Sequence, residues 1–449
     1  MSDVVVIGAG ADELVAARLL AQAGHRVTVV QEHAVAEQTH GWVPRAVVAA
    51  LKLRNLRAER PDPWLRTLLP AGGTLELHGD MTRSVESLRR ISPRDAGQWP
   101  QFCQRMARLA ALLARLYVEP PPNLVDLRFA LRIRGLGRQG MEDLMRLLPM
   151  PVAELLDEWF ENESLKGALA ALAVRDLQQG PRSAGTAFRL LHSHVGNAPG
   201  VFRPPRSNIV GVLRDGLTVR KGRAARIDLR AGSVCGVALE NGDPLAASIV
   251  LAGAHPARVL GELVEPGWLD PDLLRAARHI RGRGVAAKVR LQLERAPDWE
   301  TLTVAGSLDD VERAYDDVKY GRLSARPVLD ALADGEALDV HFQYVPHPAR
   351  DAPAIEHAVK QVLQPHVPPI RQCTVHTPAD LERLHGWPQG QPHHAELSLD
   401  QALWMRPLPE LARYRTPVEG LWLCGPGMHP GAGVVGACGY NCAREILRS

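Results

Sequence analysis

Two glycine-rich segments at opposite ends of the chain have the residue types and spacing that a dinucleotide site needs. Near the N-terminus, residues 4–7 form an apolar run suited to a buried parallel strand, followed by the turn Gly8-Ala9-Gly10. Leu14, Ala17, Leu20 and Ala21 then recur at helical spacing, and residues 27–30 supply a second strand. Gly8 permits the tight turn and Gly10 lets backbone approach a pyrophosphate, which would sit on the free N–H groups of a helix opening at Ala11. The C-terminal segment, GLWLCGPGMHPGAGVVGACGYNCAREI, sets Gly425, Gly427, Gly431, Gly433 and Gly436 around a terminal helix expected from about Val434. Glycines there admit a planar ring system, and the helix N-terminus would favour negative charge on it. The plainer alternatives are an ordinary strand-turn-helix and a turn that lets the last helix pack.

The first fingerprint is altered. Its third glycine, at a close helix–strand contact, is Glu13, which adds bulk and charge where a diphosphate would sit. The acid expected to hold a ribose hydroxyl is the neutral Gln31, with Glu32 one residue late.

The remaining reactive types are few. His192 and His194 lie in LLHSH, and His429 lies inside the C-terminal glycine loop. Histidine suits proton transfer near neutral pH, although helix packing or capping for His192 and His194 and loop fixing for His429 account for these three better. Tyr344, Trp404 and Met405 suit either an apolar cavity wall or a core. The six cysteines include no CxxC pair; Cys424, Cys438 and Cys442 crowd the last loop, as packed thiols, a redox pair or a metal site.

The elements that must position these groups follow from pattern. Of 449 residues, 46% are hydrophobic, enough for two interleaved domains. A net charge of +3 gives no basis for nucleic-acid binding. The arginine-rich stretch Arg132, Arg134, Arg138 reads as a solvated helix face, or as a contact with an acidic membrane surface or partner. No apolar run is long enough to span a bilayer and no signal peptide precedes the first strand, so a cytoplasmic protein is expected. Residues 84–173 are mainly helical, with a capped amphipathic helix starting near Ser92. Residues 218–254 form short strands with a hairpin at Asn241-Gly242, and residues 285–417 mix strands at 286–293 and 339–344 with a helix at 354–363.

Over nearly its whole length the chain resembles the phytoene-desaturase-like FAD-dependent oxidoreductases, most closely the branch that includes pyridine nucleotide-disulfide oxidoreductase domain-containing protein 2. The stretches that carry this are LPMPVAELLDEWFENESLKGALA, GPRSAGTAFRLLHSH, GVALENGDPLAASIVLAGAHP and HHAELSLDQALWMRPLPELARYRTPVEGLWLCGPGMHPGAGVVGACGYNCAREIL. The resemblance implies an α/β fold: a Rossmann-like FAD/NAD(P)-binding domain built from residues 1–65, 185–265 and 415–449, and an α+β substrate domain from 66–184 and 266–414. It implies FAD as cofactor, held through Gly8, Gly10, Ala11, Gln31, Glu32, Gly425, Gly427, Gly433, Val434 and Val435. His394 and Glu396 match a family His-x-Glu-Leu element and are the catalytic candidates; no metal is implied. The expected chemistry is flavin-mediated desaturation, saturation or isomerisation of an apolar, isoprenoid-like small molecule, with peripheral membrane contact and a homo-oligomeric or partner-protein assembly as further expectations.

The chain departs from that family around the cofactor. The paired-glycine loop expected after the second strand is replaced by EHAVAEQTHGWVPRAVVAALKL, and Ser207-Asn208 stand where glycines open a longer helix. Together with Glu13 and Gln31, these changes support a second reading, a flavin-free or weakly flavin-binding pseudoenzyme that serves as a binding or partner subunit.

Overall fold

The computed structural model describes residues 3–35, 39–121, 137–348 and 351–449. Arg132 and Arg134 lie outside the described residues, whereas Arg138 sits in the helix Gly137–Leu147 and pairs with Glu142 one turn on.

Val4, Val5, Val6 and Ile7 are all buried because the strand Asp3–Ile7 runs between two parallel neighbours, Arg26–Gln31 and Ile249–Ala252. A central strand covered on both faces needs the continuous apolar run seen here. Leu421–Leu423 and Thr218–Lys221 complete the five-stranded sheet, so segments from both ends and the middle of the chain lie side by side. The helices Ala11–Gln22 and Ala437–Ile446 pack so closely that a methyl group on Gly439 would collide with the Asp12 carbonyl. The terminal helix starts three residues later than expected, because Gly436 at φ +78° interrupts it. A separate three-stranded antiparallel sheet, Ala224–Arg230, Ser233–Leu239 and Pro244–Ala246, contains the expected hairpin, with Gly242 at φ +87°.

The second body is a seven-stranded sheet in the order Ile370–His376, Ala286–Leu293, Ala337–Gln343, Val328–Asp334, Thr301–Val304, Leu65–Leu68, Thr74–Leu77. Strand residues alternate between its faces. Val289, Leu291, Leu338 and Val340 pack with Ile355, Val359 and Leu363 of the helix Ala352–Leu363.

Against this lies a helical layer. Ser92 caps the helix Pro93–Leu116 by accepting from the Asp95 N–H, as its sequence predicts. The run after Val152 forms two helices, Val152–Trp159 and Glu163–Ala173. Thr186–His194, grouped by sequence with the nucleotide-binding segments, packs on all three of these helices. Trp99, Phe102, Phe160 and Phe202 fill the layer's centre, with Phe102 and Phe160 edge to face at 5.0 Å. Among the described residues no helix is long and apolar enough to cross a membrane.

Phe102 is fully buried and contacts four aromatic rings. Phe102→Ala should therefore cost about 3–5 kcal/mol of folding stability, read from urea denaturation.

Candidate functional site

The carboxyl ends of the strands Asp3–Ile7, Ile249–Ala252 and Leu421–Leu423 come together at one edge of the parallel sheet, where doubly wound folds bind ligands. Gly8 at φ +111° and Gly253 follow the first two directly, and Gly425 at φ +103° follows the third after Cys424. Gly253 escaped the sequence reading, although its place just after an apolar strand in VLAGAHP was a usable signal.

The hollow among these glycines is filled by Glu13, 4% exposed. A methyl group on Gly10 or Gly425 would come within 2.6 Å of a Glu13 carboxyl oxygen, and one on Gly253 would overlap the same carboxyl. The cause is local. Gly10 is the N-cap of the helix Ala11–Gln22, so Glu13 occupies the third helical position, from which a glutamate reaches back to the N-cap N–H. The backbone N–H groups of Gly10 and of Glu13 itself lie against this carboxyl and favour its charged form. Burial nevertheless dominates, with the neighbouring Cys424 and Asp12 adding to it, and holds the Glu13 carboxyl well above the usual carboxylate range. Burial also raises its neighbour Asp12, to about 7. A buried acid thus sits on the helix N-terminus where a diphosphate would bind. FAD does not fit this seat while Glu13 lies in it.

The other cofactor candidates are distributed as follows. Gln31 accepts from Arg214 and donates to the His33 carbonyl. Glu32 is held bidentately by Arg258 at 2.7 and 2.9 Å and accepts from the Ala224 N–H, so both of its oxygens are engaged within the protein. Ala11 begins the first helix. At the C-terminal loop, Trp42 bonds to the residues on either side of Val434: Trp42 N–H donates to Gly433 O and Val435 N–H donates to Trp42 O, a parallel bridge between Trp42 and Val434. His192 anchors the same loop, with Nε2 donating to Ala432 O at 2.9 Å while Nδ1 accepts from the Tyr117 hydroxyl at 2.8 Å.

The catalytic candidates separate. His394, at φ +58°, lies over Gly427 beside the Glu13 seat, and the nearby Gly253 carbonyl favours its charged form. Burial, then the charges of His255 and Arg406, push it down to about 3, so it is neutral at physiological pH. Glu396 is fully buried and gripped by the Arg283 guanidinium at 2.6 and 2.9 Å. That geometry makes Glu396 an anchor of its loop. His429 donates to Leu116 O, and Tyr344 is buried with its hydroxyl on Gln179 O. Cys424, Cys438 and Cys442 form a buried cluster; all the cysteines are free, and among the described residues no group of His, Cys, Asp or Glu is arranged to hold a metal.

Arg406, which the sequence did not single out, ties the site together. Fully buried, it donates to six carbonyls: Met428, Glu396, Gln401, His393, Ala395 and Pro426. It thereby fixes the 393–401 loop to the C-terminal glycine loop.

Two outcomes follow from this geometry. Arg406→Met leaves six buried carbonyls without their donor and should cost at least about 4 kcal/mol in denaturant unfolding. Because the folded state raises Asp12 and Glu13, the stability tied to their protonated forms is complete below their ordinary values. It is lost as pH rises through the folded values, about 7 for Asp12. Glu13→Gln cannot ionise, so unfolding curves should show wild type losing stability relative to it by up to about 1.4 kcal/mol per pH unit above the ordinary glutamate value.

No protein-family model matches the chain. By sequence it is similar to rat pyridine nucleotide-disulfide oxidoreductase domain-containing protein 2, 26% identical over 99% of this chain and 93% of the relative. It is likewise similar to one of the subunits of the limonene dehydrogenase of Castellaniella defragrans, 23% identical over 99% and 94%. In fold it is similar to a putrescine oxidase redesigned at its cofactor site, with a TM-score of 0.64, 15% identity and coverage of 100% and 99%. An oxidoreductase from Methanosarcina mazei gives 0.59, with 12% identity and both chains covered fully. With the discontinuous parallel sheet and the paired glycine loops, these likenesses support an FAD oxidoreductase fold for the chain and a full-length similarity to pyridine nucleotide-disulfide oxidoreductase domain-containing protein 2.

Proposed function

We propose that this protein keeps the architecture of an FAD oxidoreductase but closes its own diphosphate seat, and that it serves as a flavin-free or weakly flavin-binding partner or ligand-binding protein within a larger assembly. The observation that carries this reading is the Glu13 carboxyl in the hollow of Gly8, Gly10, Gly253 and Gly425. The commitment of Glu32 to Arg258 supports it, since that acid is withdrawn from any ribose. A relative named as one component of a multi-subunit dehydrogenase fits an assembly of more than one chain, through a second copy or a different partner. Six free thiols agree with a reducing compartment such as the cytoplasm.

A second reading is favoured by the full-length likeness and by the limonene in that relative's name. It is an FAD-dependent enzyme that desaturates, saturates or isomerises an apolar, isoprenoid-like substrate. It requires Glu13 to leave the seat when FAD enters.

Titration of the purified protein with FAD separates the two. Wild type should retain no flavin absorbance through gel filtration and gain no thermal stability. A ligand of the folded state at about 100 times its Kd would add about 2.7 kcal/mol, so a missing shift is informative. Glu13→Gly should bind FAD at least about tenfold more tightly, a change of about 1.4 kcal/mol. Stoichiometric flavin on wild type would overturn the first reading.

A further inference from the structure

The seven-stranded sheet carries a polar row on the face opposite the helix Ala352–Leu363. His376, Lys288, His341, Asp330, Thr303 and Thr67 each lie directly opposite the next on successive strands. Residues paired in this way share one face, and the neighbouring pair Val289–Val340 goes to the apolar side. Such a row across most of a sheet is costly unless its members are partnered.

Part of it is. Gln343 donates through Nε2 to Val174 O and Leu177 O, so its Oε1 must accept, and it does so from the Asp176 N–H and from His341 Nε2. That leaves His341 Nδ1 to accept from Lys288 Nζ at 2.7 Å, which fixes the tautomer and aims the ammonium. Asp330 is held by Arg203 at 2.6 and 2.8 Å and by Arg175.

Groups from other segments beside the row are not satisfied. Asp176 is 5% exposed, and its Oδ1 has no hydrogen-bond partner; Lys288 Nζ stands 4.0 Å away. Arg189, 6% exposed, donates to the Ser193 hydroxyl, but its Nε is unpartnered and among the described residues no carboxylate forms an ion pair with it. Neither ring nitrogen of His393 has a hydrogen-bond partner, and its Nε2 is 3.7 Å from Asp176. The cations Arg175, Arg189, Arg203 and Lys288 outnumber the carboxylates Asp176 and Asp330. Lys288 and Arg175 keep 34% and 27% of their side-chain surface. Burial nevertheless pulls Lys288 down to about 8 and His40, itself in contact with solvent, down to about 3. Solvent contact combined with crowding by protein is what a concave wall produces.

We propose that this recess binds a small carboxylate that also carries a hydroxyl or amino group. Its carboxylate meets Arg175, Arg189 and Lys288, for which charge-assisted bonds are the strong ones, and its hydroxyl or amine donates to Asp176 Oδ1. The inference is independent of whether FAD is held, and its ligand differs in kind from the apolar substrate of the second reading above.

The test is calorimetric titration of the full-length protein, without FAD, using L-malate, L-aspartate and succinate. Malate, aspartate or both should bind saturably and raise Tm; which of them does so identifies the hydroxyl or the amine as the donor. Succinate, which lacks that donor, should bind at least about tenfold more weakly, and Lys288→Gln should weaken the preferred ligand at least about tenfold. Arg175→Gln, at the rim, should give the same loss if Lys288→Gln fails to fold. Absence of binding by all three probes, equal binding of succinate, or unchanged binding by a folded variant would overturn the proposal.

Discussion

The N-terminus of the helix Ala11–Gln22 rests on a side chain of its own. Glu13 turns back to the Gly10 N–H and lies in the hollow that three parallel strands and their glycines create. A helix N-terminus at the carboxyl edge of a sheet is a ready anion site, because its first N–H groups lack intrahelical partners. Once an acid on the same helix supplies the acceptor, those donors are no longer open to a phosphate. The same contact links the strand ends at Gly253 and Gly425, and the consequence for the cofactor is immediate.

Around that point the chain is rigidly connected. Arg406 draws six carbonyls from two loops onto one guanidinium, and burial pulls that cation down to about 10. With Arg283 on Glu396 and His192 on the glycine loop, it keeps His394 over Gly427 and Gly253. Groups that a sequence reader would assign to chemistry are thus used to hold backbone. The groups free of such duties, Asp176, Arg189 and His393, lie elsewhere, between the seven-stranded sheet and the helical layer.

Local pattern carried a large part of this architecture. Ser92 before an amphipathic run, Asn241-Gly242 between short strands, and the apolar stretch at Val4 each encode an element through neighbours within a few residues. The late start of the last helix also has a local cause, since Gly436 must adopt a positive φ. The loss of the third fingerprint glycine was equally visible in one dimension.

What the sequence determined by itself is therefore its local elements and the identity of the altered positions, because strand-turn-helix periodicity and caps act over short separations, while the discontinuous α/β framework was implied by family resemblance. Tertiary structure alone decided where the Glu13 carboxyl goes, because two walls of its hollow, Gly253 and Gly425, come from residues hundreds of positions away. It likewise decided that Glu396 belongs to Arg283, and that Lys288, His341 and Asp330 form one polar row. Charge pairing and strand register are set by distance in space, and no spacing along the chain encodes them.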